Sequence, residues 1–375
     1  MTPRNDSEKM RNALDVVHAD LKLITDRLEA EFAAMSGGSL LIAGGAGFLG
    51  HYLVQSALHW NTLHPDSAPI EVVVLDSYVR GVPPWLKALE RNRNLYLARH
   101  DITRPIPEGL GRFTYFIHAA SIASPIYYRK RPIETMDANV GGLRHMLDYA
   151  SIHPLKGMLF YSSSEIYGDP TLENIPTPET YRGNVSCTGP RACYDESKRY
   201  GETLCVNFAQ QRGVPVKVAR PFNNYGIGLK LTDGRVIPDF ARNILAEKDI
   251  VMLSDGSPKR TYCYVADAVI GYYKILVNGR SGEAYNIGVE KPEISVAELA
   301  ETMVRLARDL FGYRGKVVRG KSPDADYLID NPNRRCPVIE KARRELGYDP
   351  TIDLEKGLRR SLVWYAENRN ETLEA

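Results

Sequence analysis

Apolar positions follow two different periods along this chain. Near the start they fall at Leu14, Val17, Leu21, Ile24 and Leu28, a spacing that predicts one helix over about 11–35 with a narrow apolar seam. Gly37-Gly38 then breaks it. From Ser39 onward, short apolar runs alternate with helical stretches. Ser39–Ala43, Ile70–Leu75, Leu95–Ala98, Thr114–His118, Met158–Tyr161 and residues 214–219 read as buried strands. His51–Trp60 and about 132–150 and 193–212 read as helices. That alternation predicts an α/β fold, a doubly wound parallel sheet of Rossmann type. After Arg220-Pro-Phe-Asn-Asn-Tyr-Gly226 the elements shorten. Ser295 with Glu298 forms a capping box that opens a helix to about Phe311, and helices follow at about 337–346 and 354–368. The pattern divides the chain into a helical extension (1–36), a dinucleotide-binding domain (37–224) and a mainly substrate-binding, smaller α/β domain (225–375). Ala284–Gly288 reads as a strand returning to the main sheet.

The first strand runs directly into Gly44-Gly-Ala-Gly47-Phe48-Leu49-Gly50. Glycines at 44, 47 and 50 allow a tight turn and a close backbone approach to a pyrophosphate, which the next helix N-terminus favours. The second strand ends in Asp76, an acidic group suited to a ribose diol and unsuited to a 2′-phosphate, which points to NAD over NADP. Asp101 and Ile102 follow the third strand, where adenine would lie. Ala119, Ala120 and Ser121 are small residues that let a cofactor pass the fourth.

Met158–Tyr161 ends in Ser162, Ser163, Ser164 and Glu165, and Tyr194 and Lys198 stand one helical turn apart further on. An ammonium beside a phenol lowers the phenol's pKa, and a strand-end hydroxyl can share the same substrate oxygen. With 22 tyrosines in 375 residues, a Tyr-x-x-x-Lys pair arises about once by chance, so the pair gains meaning only from what precedes it. Net charge is +2, which makes no case for nucleic acid or an anionic membrane. The N-terminal residues lack a signal-peptide core and no run is long enough to span a membrane. Five cysteines without paired spacing imply a reduced, cytoplasmic protein without a structural metal.

The glycine turn, the serine-tipped strand and Tyr194/Lys198, in this order and spacing, resemble the extended short-chain dehydrogenase/reductase (epimerase/dehydratase) family, from about Leu40 to Trp364. SSSEIYGDP, GPRACYDESKR, TDGRVIPDF and NPNRRCPVIEKARRELGY resemble UDP-glucuronic acid decarboxylases (UDP-xylose synthases) in particular. The resemblance implies retained NAD, a UDP-sugar substrate and a homodimer whose helices at 132–150 and 193–212 pair through Val140, Leu143, Leu147, Leu204 and Phe208. It makes Ser163 the triad hydroxyl, Tyr194 the base, Lys198 its electrostatic partner, and Glu165 and Arg260 participants in decarboxylation. Ser164, Asn223, Arg235, Arg260 and Arg335 would contact substrate. The chain departs from that pattern at Ile122, Tyr127 and Pro258, around the sugar pocket. A nucleotide-hexose 4,6-dehydratase and a 4-epimerase are the rival reactions; dehydratases carry an Asp-Glu pair where this chain has Ser164-Glu165. An NAD-sensing binding protein is the rival from outside enzymology.

Overall fold

The computed structural model describes residues 10–322 and 329–373; the polar N-terminal stretch discussed above lies partly outside them. Helices α1 (Ala13–Arg27) and α2 (Glu29–Met35) lead into β1 (Ser39–Ala43), α3 (Gly50–Leu63), β2 (Glu71–Asp76), β3 (Leu95–Arg99) and β4 (Tyr115–His118). After a helix at Gly142–Ile152 come β5 (Gly157–Tyr161), α4 (Ala192–Arg212), β6 (Val216–Pro221), α5 (Val265–Asn278) and β7 (Ala284–Ile287). Helices α6 (Val296–Phe311) and α7 (Leu354–Glu367) complete the main layers. The seven strands form one parallel sheet in the order β7-β6-β5-β4-β1-β2-β3. Ala284–Ile287 thus returns to the main sheet from within the C-terminal half.

Successive side chains of β1 enter different cores, as the two-residue strand period requires. Leu40 and Ile42 join a core with α1, α2, α3 and α5, whereas Leu41 and Ala43 join one with Gly142–Ile152 and α4. Ser295 caps α6 as its sequence promised, with Ser295 and Glu298 bonding each other's backbone N–H. A three-stranded sheet places Lys259–Arg260 between Ile294–Ser295 and Arg334–Arg335, with Arg335 opposite Arg260.

The N-terminal segment differs from the single seam expected. Leu28 breaks the helical geometry between α1 and α2 (φ −117°, ψ 17°). Leu21, Ile24 and Leu28 are buried, but Leu14 is 61% exposed. The reason is Asp20, which lies on the buried face and turns that face toward polar partners. Its Oδ2 accepts from Tyr52 and Tyr264 hydroxyls at 2.6 Å each, and Arg360 bonds Oδ1. Burial raises the Asp20 pKa, against the opposing pull of Arg360 and the two phenols. Tyr52 belongs to α3 and Arg360 to α7, so α1 fastens the cofactor side of the molecule to its C-terminal helix.

Removing one partner from such a buried pair strands the other's charge. Asp20→Ala is therefore expected to cost about 3–5 kcal/mol in urea unfolding, with Asp20→Asn milder. A loss below 1 kcal/mol would show that Arg360 finds water instead.

Candidate active site

The turn after β1 is set by steric limits. Gly44 has φ +81°, and a Cβ there would meet the Ala120 backbone at 2.6 Å. A Cβ on Gly50 would lie 2.0 Å from the Gly45 carbonyl oxygen. The turn is thus held against the end of β4, where only small residues fit, and Gly47, Phe48 and Leu49 lead from it into α3. Asp76 closes the neighbouring corner: it accepts from Ala46 N at 3.1 Å and Tyr78 N at 2.9 Å. Burial raises its pKa despite those bonds. Ser121 Oγ, at the end of β4, is buried with no hydrogen-bond partner among the described residues. The glycine cradle, the buried acid and the orphaned hydroxyl fit a dinucleotide along the carboxyl ends of the strands. Asp101 lies at the rim, where its carboxylate binds Thr103 N at 3.0 Å and Thr103 Oγ1 at 2.9 Å. Ile102 is buried against Gly142.

On α4 the residues that carry chemistry recur at helical spacing on the buried face: Arg191 at its cap, then Tyr194, Asp195 and Lys198. Tyr194 lies near Ser163, whose hydroxyl favours the phenolate, and stacks on Tyr128 with ring centroids 5.1 Å apart. Ser163 is anchored in turn, its Oγ accepting from Glu165 N at 3.2 Å. Ser164 is buried beside it.

The expected lowering of the tyrosine pKa is not what this arrangement gives. Burial pushes the Tyr194 phenol up to about 12, against the Ser163 hydroxyl and the nearby Arg235. Lys198 donates to the Tyr161 carbonyl at 2.8 Å and lies 5.5 Å from the Tyr194 ring centroid. Burial lowers its own pKa to about 7. The ammonium is thus committed to a backbone oxygen, and desolvation governs both groups.

Glu165 is held differently from a free acid or base. Arg335 binds both its oxygens, at 2.7 and 2.5 Å, and Arg191 reaches Oε2 at 2.5 Å. Burial alone would raise its pKa, but the two guanidiniums hold it down at about 2. Arg260 sits beside this group with no carboxylate partner among the described residues. It donates to the carbonyls of Lys259, Asn333 and Pro332 and to Asn331 Oδ1, so it pins the segment that carries Arg335. Burial, then Arg335, lower its pKa to about 10, so it stays cationic at neutral pH. Asn223 adopts the left-handed region (φ 43°) and donates to Thr261 O at 2.9 Å. Arg235 pairs with Asp233 at 3.1 Å and donates to Ala123 O.

Ser163, Ser164, Glu165, Tyr194, Arg260 and Arg335 therefore belong to one connected site, with Arg235 near its tyrosine. Arg191, Asp195 and Tyr128 were not foreseen. Arg191 and Asp195 had a readable signal: with Tyr194 and Lys198 they fall at i, i+3, i+4 and i+7, a polar stripe on a face that packs inward. Tyr128 had none, since it comes from the separate helix Pro125–Lys130.

Residues 40–288 match the NAD dependent epimerase/dehydratase family. The chain is 36% identical over 319 residues to UDP-glucuronic acid decarboxylase 3 of Arabidopsis thaliana, covering 85% of this chain and 86% of that one. Among solved structures, a dTDP-glucose 4,6-dehydratase double mutant from Streptomyces venezuelae, with NAD bound, is 25% identical with a TM-score of 0.76, covering 88% and 98%. A UDP-glucuronic acid 4-epimerase from Bacillus cereus, in complex with UDP-glucuronic acid and NAD, shares the fold (23% identity, TM-score 0.71, covering 88% and 99%).

A carboxylate whose folded pKa is depressed stabilises above its unfolded pKa and loses that contribution as pH falls through the folded value. Glu165→Gln should therefore be less stable than the parent above pH 4.5, and the gap should close between about pH 4.5 and 2. Chemical unfolding at stepped pH measures it; a gap constant across that window would refute the ion-pair assignment.

Proposed function

This chain belongs to the NAD dependent epimerase/dehydratase family, and on that premise we propose that it decarboxylates UDP-glucuronate through a 4-keto intermediate. Its cofactor is NAD, which the glycine turn at 44–50 and Asp76 would hold and which would supply the hydride acceptor for C4 of the sugar. Tyr194 removes the 4-hydroxyl proton and Ser163, beside it, holds the same oxygen. Lys198 fixes the helix to the strand end and lies close enough to favour the phenolate when the proton leaves. A 4-keto sugar with a carboxylate on C5 is a β-keto acid, so carbon dioxide can depart as electrons move into the ketone. Ser163 and Tyr194 stabilise the resulting enolate oxygen. Protonation at C5 then gives the UDP-4-keto-pentose, or UDP-xylose if the hydride returns.

The observation that carries this reading is the cationic surplus: Arg191 and Arg335 both pair with Glu165, and Arg260 stands beside them without a carboxylate partner among the described residues. Such a site suits an anionic sugar. It suits dehydration poorly, because Ser164 stands where an acid would protonate a leaving hydroxyl and Glu165 is ionised between two arginines. Glu165 is in consequence a charged anchor for Arg191 and Arg335, which fits a positioning role. Arg260 acts through its charge and through the Asn331–Asn333 segment. Asp101 is assigned to the cofactor rim by its place after β3, and the family resemblance assigns Asn223 to the diphosphate and Arg235 to the nucleotide pocket.

The homodimer is retained with a different surface. Leu143 and Leu147 are fully buried within the subunit and cannot face a partner, because both pack under β4 and β5. Val140, Tyr200, Leu204 and Phe208 remain on the outer face, with Arg144 over the Phe208 ring at 5.2 Å. Among the described residues, no helix is long and apolar enough to cross a membrane.

With UDP-glucuronate and NAD+, mass spectrometry should show a nucleotide sugar that has lost carbon dioxide, while dTDP-glucose is unchanged. Conversion of dTDP-glucose to a 4-keto-6-deoxy sugar would replace this reading with the dehydratase. Light scattering at micromolar concentration should give a dimer, and Tyr200→Glu with Phe208→Glu should give a monomer. A native monomer contradicts the dimer assignment.

A further inference from the structure

One buried carboxyl beside the base is not used by the reaction above. Asp195 directly follows Tyr194 on α4 and is 4% exposed. Its Oδ1 has no hydrogen-bond partner among the described residues. Oδ2 lies 3.8 Å from Arg191 Nε, beyond hydrogen-bond reach, while the same guanidinium holds Glu165 at 2.5 Å. Two carboxyls therefore compete for one cation, and Glu165 has both the shorter contact and a second arginine. The groups that face Asp195 are Glu165 from the turn after β5, Arg191 and Tyr194 on its own helix, Tyr128 from Pro125–Lys130, and Arg335 and Asp330 from the C-terminal segment. A buried carboxylate with an orphaned oxygen is costly, and a neutral carboxylic acid much less so. Burial, then the Glu165 charge, push Asp195 up to about 8.

We propose that Asp195 is a specificity-determining residue, whose protonated form leaves the Arg191–Glu165–Arg335–Arg260 group positive enough to receive a sugar carboxylate and whose ionised form opposes that carboxylate. This rests on the uronate reading of the substrate. As a neutral acid, Asp195 leaves Arg191 and Arg335 on one carboxylate with the Arg260 charge nearby; ionised, it adds a second negative charge within the same buried volume. Proton and sugar carboxylate then favour each other's binding reciprocally. Uronate binding is strongest well below pH 8 and weakens as pH rises through that value, whereas a neutral hexose at the same position is indifferent. Asp195 acts through charge, so its signature is a pH-dependent ratio of affinities, which a merely structural role would not produce.

The test uses the full chain with Tyr194→Phe and saturating NAD+, so that nothing turns over and the phenol cannot titrate. Dissociation constants for UDP-glucuronate and UDP-glucose are measured from pH 6.5 to 9, with Asp195 and with Asp195→Asn. Their ratio cancels uracil titration and differences in the folded fraction. With Asp195 present, the preference for the uronate should fall about ten-fold across the range, the effect of one added charge a few ångströms away. With Asn, and likewise Ser, it should stay within about two-fold and persist at pH 9. A flat ratio with Asp195 present overturns the proposal without any variant. An equal fall in the Asn and Ser proteins also overturns it and assigns the titration to another group, Lys198 first. If neither protein prefers the uronate at pH 6.5, the substrate reading itself has failed.

Discussion

Glu165 is clamped between Arg191 and Arg335, and the three come from separate parts of the chain. Glu165 lies in the turn after β5, Arg191 caps α4, and Arg335 comes from the C-terminal segment. Desolvating three charges is expensive, so this ion group is weak grounds for claiming stability. What it supplies is geometry: a charge-charge contact in a buried site tolerates little displacement. The C-terminal segment, the turn after β5 and the start of α4 must adopt one arrangement for it to form.

A second network holds the same strand end from below. Ser162 donates to Glu202 at 2.5 Å, and Arg220 pairs with both Glu202 oxygens and with the Tyr167 hydroxyl. Tyr167 donates to Asn286 on β7, whose amide reaches the carbonyls of Thr177 and Val338. Ser162 and Ser163 point to different faces because they are consecutive on an extended backbone. One hydroxyl is spent on anchoring and the next is left for the substrate oxygen. Together with the Asp20 contacts, these networks join the nucleotide-binding sheet to the C-terminal half through buried polar groups that must all be satisfied at once.

The sheet was legible in the sequence because parallel strands buried on both faces read as unbroken apolar runs. The capping box of α6 and the glycine turn were legible because each is set by local geometry. The N-terminal seam was misread at Leu14 because Asp20, a charged residue, lies on the buried face; only tertiary partners from residues 52, 264 and 360 make that possible. Tyr194 and Lys198 were found by spacing, but their ionisation was not, since burial outweighs the neighbouring ammonium. Glu165 was identified as functional but its clamp was not, because the two arginines that neutralise it are distant in sequence or hidden in a motif read for its tyrosine. Leu143 and Leu147 show the same limit, as periodicity gives the apolar face of a helix without saying what covers it.

The proposed reaction divides the labour: Ser163, Tyr194 and Lys198 would perform the oxidation at C4, and the arginines around Glu165 would serve the loss of the carboxylate. Single-turnover kinetics of Arg335→Met with UDP-[6-13C]glucuronate and NAD+ separates the two, by following NADH absorbance and labelled carbon dioxide together. The account predicts that NADH forms at a rate within about ten-fold of the parent and accumulates, while carbon dioxide release slows by about 10²–10³-fold, the usual effect of removing one electrostatic stabiliser. Equal slowing of both signals, or carbon dioxide release at the parent rate, would contradict it.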